Sequence, residues 1–266
     1  MKTSIDFSKS LQVNASNYFD KSKKAKKKLE SLEKAAKDLE KKIAAIKEKK
    51  HSAESAREAP QKKRARQWFE KFRWFYSSDG LLVLGGRDAQ SNEQLVKKYM
   101  EPDDVYFHAE IHGAPHVIVK AKKNLAPSQT MNEAAQFAAV FSSAWREKLA
   151  SVDVYSVKPE QVSKKAMAGE ALGTGAFMIY GQREWFKNTP LNFAIGFDGE
   201  KVVSGPESAV KKNAKHFVGV IQGAMEKGPA AKKIKALLEH KLGKKNLFDL
   251  DELVSMLPSG GIEVKD

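Results

Sequence analysis

The sequence contains no cysteine, which removes disulfides, thiolate zinc sites and thiol catalysis together. No apolar run approaches the roughly 20 residues needed to span a bilayer, and the N-terminus MKTSIDFSKS lacks the apolar core of a secretory signal. The G-x-G-x-x-G and Walker patterns are missing, so no nucleotide cofactor, and no cofactor of any kind, is expected. A Ser-His-Asp order and a nucleophile elbow are missing as well, which leaves acyl-transfer catalysis without support. From these absences the expectation is a cytoplasmic protein with no membrane partner that is not a stand-alone enzyme.

Charge is present, but unevenly. The chain of 266 residues has a formal net charge of +14. Residues 1–67 hold 20 Lys and Arg against 9 Asp and Glu, whereas the remaining residues hold 27 against 24. A concentrated basic segment attracts polyanions by releasing their counterions. Residues 16–59 contain neither Gly nor Pro, and Ala25, Leu29, Leu32, Ala36, Leu39, Ile43 and Ile46 follow one another at spacings of 4, 3, 4, 3, 4 and 3. That is a heptad seam, which predicts a coiled-coil helix ended by Pro60, a residue that disfavours helix at Ala59. Within it, 21-KSKKAKKK-28 has no acid to neutralise it. Lys23, Lys24, Lys26, Lys27 and Lys28 are therefore either a solvated coiled-coil exterior or a set of phosphate contacts.

From Trp68 onward the pattern changes. Aromatic alternation through 72-FRWFY-76, then Asp79-Gly80, then Leu81–Leu84 predicts a β-hairpin. A helix over 89–100 capped by Asp88 follows, then strands at 105–112 and 116–120 separated by Gly113-Ala114-Pro115, and a helix over 129–148. Further strands are expected at 152–157, 176–180, 192–197 and 201–205, with helices at 229–242 and 248–256. The fold class is α/β (α+β): an N-terminal basic coiled-coil arm, residues 1–60, and one globular domain, residues 61–266, with a mixed β-sheet flanked by helices. The domain's core motifs lie at 68–186 and a C-terminal α/β extension at 190–266.

The densest polar constellation is 85-GGRDAQSNE-93 followed by 106-YFHAEIHGAPH-116. On a continuous strand, His108, Glu110 and His112 share one face. That places two imidazoles and a carboxylate where they could cap a metal ion, orient a loop or contact RNA. Gly85-Gly86 before a helix start is a candidate phosphate turn, and Arg87 offers a forked donor for it. The alternative is that Asp88 only caps the helix and Arg87 pairs with an acid. In 158-KPEQVSKKAMAGEALGTGAFMIYGQREWF-186, Gln161, Ser163, Lys164 and Lys165 precede glycines, Gly175 among them, that permit close approach to a nucleic-acid backbone. Trp68, Phe72, Trp74 and Phe75 are rings able to stack on bases, although most suit a core.

The runs WFEKFRWFYSSDGLLVLGGRDAQSNEQLVKKYM, DDVYFHAEIHGAP and VKPEQVSKKAMAGEALGTGAFMIYG resemble the NFACT-R domain, and IDFSKSLQVNASNYFDKSKKAKKKLE resembles the middle coiled coil of NFACT proteins, archaeal and eukaryotic branch. The resemblance covers about residues 4–265. It implies a ribosome-quality-control factor that binds large ribosomal subunits carrying obstructed peptidyl-tRNA and helps recruit aminoacyl-tRNA for untemplated tailing. It also implies that NFACT-R contacts rRNA and tRNA, that the coiled coil can meet a protein partner, and that peptide-bond chemistry stays with the ribosome. The family's N-terminal domain and helix-hairpin-helix segment have no counterpart here, so tail elongation by this chain alone is not implied.

The reading is an RNA-binding module. The arm's lysines supply attraction, and Arg73, Arg87, Asn92, His108, His112, Gln161, Ser163, Lys164 and Lys165 position the RNA, with Gly85, Gly86, Asp88, Gly113 and Gly175 shaping the site. Two rivals stand beside it. One is a metal-dependent nuclease or hydrolase using Asp88, His108, Glu110 and His112. The other is a coiled-coil interaction scaffold, or a DNA-binding NFACT-R protein.

Overall fold

The computed structural model describes residues 4–55, 67–121, 126–165 and 172–266, with residues 45–55 described as backbone only. The chain divides into two units, residues 1–65 and 66–266.

The first unit is built on helix α1, Leu11–Ser55. Forty-five residues at about 1.5 Å each give a rod of roughly 67 Å. Its start is fixed by polar side chains: the Ser10 hydroxyl accepts the Val13 N–H, and the Asn14 amide donates to the Asp6 and Lys9 carbonyls while its oxygen accepts the Asp6 N–H. The helix starts at Leu11, five residues before the expected span of 16–59. The seam residues Leu29, Leu32, Leu39 and Ile43 are half exposed, at 49–59%. The side chain of Ile46 and the expected break at Ala59–Pro60 lie outside the described residues.

Among the described residues the second unit holds two antiparallel sheets and a two-stranded antiparallel ribbon rather than one mixed sheet, and so is α+β. Strands β1 (Arg73–Tyr76), β2 (Leu82–Gly85), β3 (Val105–Ala109), β4 (Val117–Val119), β5 (Ser151–Val157) and β8 (Glu184–Pro190) form the first, in the order β1-β2-β4-β3-β5-β8. Strands β9 (Phe193–Phe197), β10 (Val202–Gly205), β11 (His216–Met225) and β12 (Ile262–Lys265) form the second, in the order β10-β9-β11-β12. A short ribbon pairs β6 (Val162–Ser163) with β7 (Met178–Ile179). The helices are α2 (Ala89–Gln94), which runs on into a wider turn at Leu95–Tyr99, α3 (Ser128–Val140), α4 (Ser143–Arg146), α5 (Glu207–Asn213), α6 (Lys227–Leu242) and α7 (Leu250–Met256).

Alternation along the strands decides which face meets what. Phe75, Val83, Phe107, Val117, Val119 and Val154 face α3 and join the second sheet's Ile195, Val218 and Val220 in one continuous core with Ile234 and Leu238 of α6. At roughly 1.5–3 kcal/mol for each large buried side chain, this core dominates the unit's stability. The opposite face of the first sheet collects Leu84, Tyr106, Ile118, Tyr155 and Val157 under Leu95 and Val96. The β1–β2 turn follows the expected Asp79-Gly80, with Gly80 at φ +79°. It is held by Glu133, whose buried carboxylate accepts the Ser78 N–H at 2.9 Å and the Ser208 hydroxyl at 2.8 Å, tying α3 to α5 across the core.

Candidate nucleic-acid interface

The motif residues assemble around the start of α2. Asp88 caps it: one carboxylate oxygen accepts the Ser91 N–H at 2.7 Å, and the Ser91 hydroxyl accepts the Asp88 N–H at 2.9 Å. Gly86 lets Asn92 reach the sheet. The Asn92 side-chain oxygen accepts the His116 N–H at 3.0 Å, and a Cβ on Gly86 would sit 1.8 Å from that oxygen. Gly85 is packed similarly, against Phe137.

Arg87 neither points away to await a phosphate nor pairs with an acid among the described residues. Its guanidinium donates to the carbonyls of Lys71, Phe72 and Ser255 at 3.1, 3.1 and 3.2 Å. It therefore pins the entry to β1 and the end of α7 to the glycine turn, and burial lowers its pKa. Arg73 lies beneath, donating to the Gly86 carbonyl at 2.8 Å and resting on the Phe141 ring at 4.6 Å. Burial, with Arg87 nearby, brings its pKa down to about 10.

A second cluster clamps the loop before β7 onto α2. The Glu93 carboxylate accepts the Gly175 N–H at 2.8 Å and Lys164 at 3.2 Å, and pairs with Lys97 at 2.6 Å. Lys97 and these other donors hold its pKa at about 2. Lys164 donates further to the Gly173 and Ala176 carbonyls. Gly175, at φ +78°, approaches so closely that a Cβ would meet the Ala89 carbonyl at 2.6 Å. Its own carbonyl lies 2.7 Å from His116 Nε2, while His116 Nδ1 meets the buried Tyr106 hydroxyl. Gln161 stitches the base of the β6–β7 ribbon, accepting the Lys158 N–H and donating to the Tyr180 and Gln182 carbonyls. The Ser163 hydroxyl accepts the Lys165 N–H.

The shared face expected of His108, Glu110 and His112 does not form. Strand β3 ends at Ala109, because the Ile111 N–H turns back to the Ala109 carbonyl and Gly113 adopts φ +79°. His108 stays on the sheet, its ring 5.2 Å from His116 and 5.9 Å from Tyr155. Burial, reinforced by His116, brings its pKa down to about 4. Glu110 is exposed and pairs with Arg183 at 3.3 Å, and His112 is exposed in the turn. Among the described residues no three His, Asp or Glu side chains gather where they could hold a metal ion. The metal-dependent hydrolase built on Asp88, His108, Glu110 and His112 therefore loses its geometric basis.

The structure thus joins Arg73, Gly86, Arg87, Asp88, Asn92, Lys164 and Gly175 into one bonded assembly and leaves His112 and Lys165 outside it. Glu93, Tyr106 and His116 are members that sequence reasoning missed, although all three lie inside the quoted motifs. Lys23, Lys24, Lys26, Lys27 and Lys28 are all exposed, and none has an ion-pair partner among the described residues. No described helix is long and apolar enough to cross a membrane.

Residues 71–181 match the family described as NFACT protein RNA binding domain. The archaeal Rqc2 homolog aRqcH of Methanocaldococcus jannaschii is 37% identical over 206 residues, covering 76% of this chain and 30% of that protein. The chain belongs to the NFACT family. Ribosome quality control complex subunit NEMF of Homo sapiens, a second NFACT relative, is 38% identical over 190 residues, 70% of this chain and 17% of that protein. The C-terminal part of the fibronectin/fibrinogen-binding protein of Streptococcus suis aligns over 51% of this chain and 50% of its own at TM-score 0.39 and 24% identity. The chain spans less than a third of the length of the curated NFACT relatives it matches. The assembly around α2 accounts for the NFACT-R motifs as a folding device: its glycines, amides and charged groups are spent largely on one another.

Proposed function

We propose that this chain is an RNA-binding module of ribosome quality control, which engages large ribosomal subunits carrying obstructed peptidyl-tRNA through rRNA and tRNA. The observation that carries the reading is the match of residues 71–181 to an RNA-binding domain. Two further features support it. Relatives that share most of this chain are named as ribosome quality control complex subunits. And the arm presents five exposed lysines, without ion-pair partners among the described residues, within two helical turns, a spacing suited to a phosphate backbone.

The module acts by binding and carries out no chemical step of its own. The arm lysines supply sequence-independent attraction, Lys165 and His112 add exposed donors, and the bonded assembly around Arg87, Asn92 and Lys164 keeps the loop surface in one shape. Arg73, Gln161 and Ser163 support that surface from below, through the bonds they make to its backbone. His108 belongs to the same supporting layer.

Fluorescence anisotropy of the purified chain with labelled rRNA fragments and tRNA, at about 0.15 M salt where weak surface attraction is screened, tests the reading. Saturable binding is expected. Binding that vanishes at that salt, or a preference for duplex DNA over RNA, overturns it.

A further inference from the structure

The bonded assembly around α2 makes no use of a strip of aromatic rings at the first edge of the six-stranded sheet. The rings of Tyr99, Trp68, Phe69, Trp74 and Tyr76 follow one another at centroid separations of 5.0, 5.7, 5.1 and 5.9 Å. Trp68 lies nearly parallel to Tyr99, at 11°. Phe69 is buried as the floor, whereas Trp68 is 48% and Tyr76 38% exposed. Each end carries a cation over a ring: Lys71 at 4.3 Å from Tyr99, and Lys201 at 4.7 Å from Trp74 and 5.8 Å from Tyr76. Lys201 and nearby Lys98 have no ion-pair partner among the described residues.

The exposed rings of Trp68 and Tyr76, braced by their neighbours and with ammonium groups at both ends of the strip, match one kind of ligand chemistry. Unpaired nucleobases present flat faces to the rings while their phosphates meet the cations. A duplex keeps its bases stacked on each other and offers only its backbone and groove edges. We infer that the exposed rings of Trp68 and Tyr76, braced by Tyr99, Phe69 and Trp74 and flanked by Lys71 and Lys201, form a stacking surface for unpaired nucleotides.

The inference rests on the RNA-binding reading and deepens it by naming which form of RNA this face takes. Phe72 and Phe75, the other rings singled out from the sequence, are 1% and 3% exposed and belong to the core. The strip therefore works as a surface with a rigid floor, and its ring geometry exists before any ligand arrives.

The test uses the full chain and a short single-stranded oligoadenylate, with an RNA duplex of the same length as the comparison. Oligoadenylate should quench the intrinsic tryptophan fluorescence of the wild type, and the duplex should not. In Trp68→Ala/Tyr76→Ala the affinity for oligoadenylate should fall by at least about tenfold, since each stacked base contributes roughly five- to 150-fold. Its salt slope should stay at the wild-type value, because the phosphate contacts remain. Trp68→Phe, which keeps a ring, should fall between the two.

Equal oligoadenylate affinity in wild type and double variant overturns the strip while leaving the RNA-binding reading in place. So does a fluorescence response to a proline-rich peptide but not to oligoadenylate, which identifies an aromatic peptide groove instead. Failure of the wild type to bind rRNA or tRNA at all overturns the broader reading, and the strip with it.

Discussion

The carboxylate of Glu93 accepts the backbone N–H of Gly175 at 2.8 Å across 82 residues of sequence. Through this bond a loop that would otherwise lie open on the surface becomes part of α2's environment. The same carboxylate takes Lys164, which itself holds the Gly173 and Ala176 carbonyls. Removing the charge therefore releases the loop from two directions. In Glu93→Ala, hydrogen exchange at the Gly175 amide should rise by at least about tenfold while the β3–β5 amides stay protected. Unchanged exchange at Gly175 would show that backbone packing alone places the loop.

Acid should loosen the fold in two stages. His108 and His116 both have folded pKa values of about 4, below the ordinary 6.5. Between those values the unfolded chain takes up protons that the folded one refuses, so this contribution is complete above pH 6.5 and is lost as pH falls to 4. For an isolated group the loss is on the order of 3 kcal/mol, and less for a pair that share one environment. Glu93, held at about 2 against an ordinary 4.5, adds a second loss between pH 4.5 and 2. Thermal melting from pH 8 to 3 should show Tm falling from about pH 6.5 downward. His116→Gln should be less stable at neutral pH yet have a shallower slope between 6.5 and 4; an unaltered slope contradicts this assignment.

Gly86→Ala should destabilise by about 2–4 kcal/mol, since its Cβ would displace the Asn92 oxygen and leave the His116 N–H unpaired. Asn92→Ala should cost about 1 kcal/mol alone and less than that in the Gly86→Ala background. Strict additivity in urea melts would mean that the two positions do not act through one bond.

The arm's contribution is electrostatic and so should be legible in salt. Replacing Lys23, Lys24, Lys26, Lys27 and Lys28 with Ala should flatten the dependence of log affinity on log salt by up to about 0.7–0.9 for each phosphate no longer neutralised. A slope equal to the wild type's assigns the phosphates to other cations and leaves these lysines as a solvated exterior.

Features with a local signal were legible in the sequence. The arm is written in a heptad, the β1–β2 turn in Asp79-Gly80, and the α2 cap in Asp88. Each is decided within a few residues. Strand β8 was missed because 184-EWFKNTP-190 is charged and carries a proline, as suits the end strand of a sheet. Strand β11 contains Gly219 and Gly223 and has no strict alternation. The stripe of His108, Glu110 and His112 fails because strand alternation stops at the turn after Ala109, three residues short of His112. Most costly was the inability of a single sequence to show partners at a distance. Gln161 and Lys164 read as donors for RNA, and Arg87 as either a phosphate donor or the partner of an acid, until their carbonyl acceptors, up to 168 residues away, came into view.

We propose above all that the chain engages obstructed large ribosomal subunits. Co-sedimentation of the chain with empty subunits and with subunits carrying peptidyl-tRNA, at about 0.15 M salt, tests it most directly. Saturable binding to both is expected, several-fold tighter when peptidyl-tRNA is present. Equal, salt-labile binding to either subunit and to unrelated RNA contradicts it and reduces the chain to a basic arm on an RNA-indifferent domain.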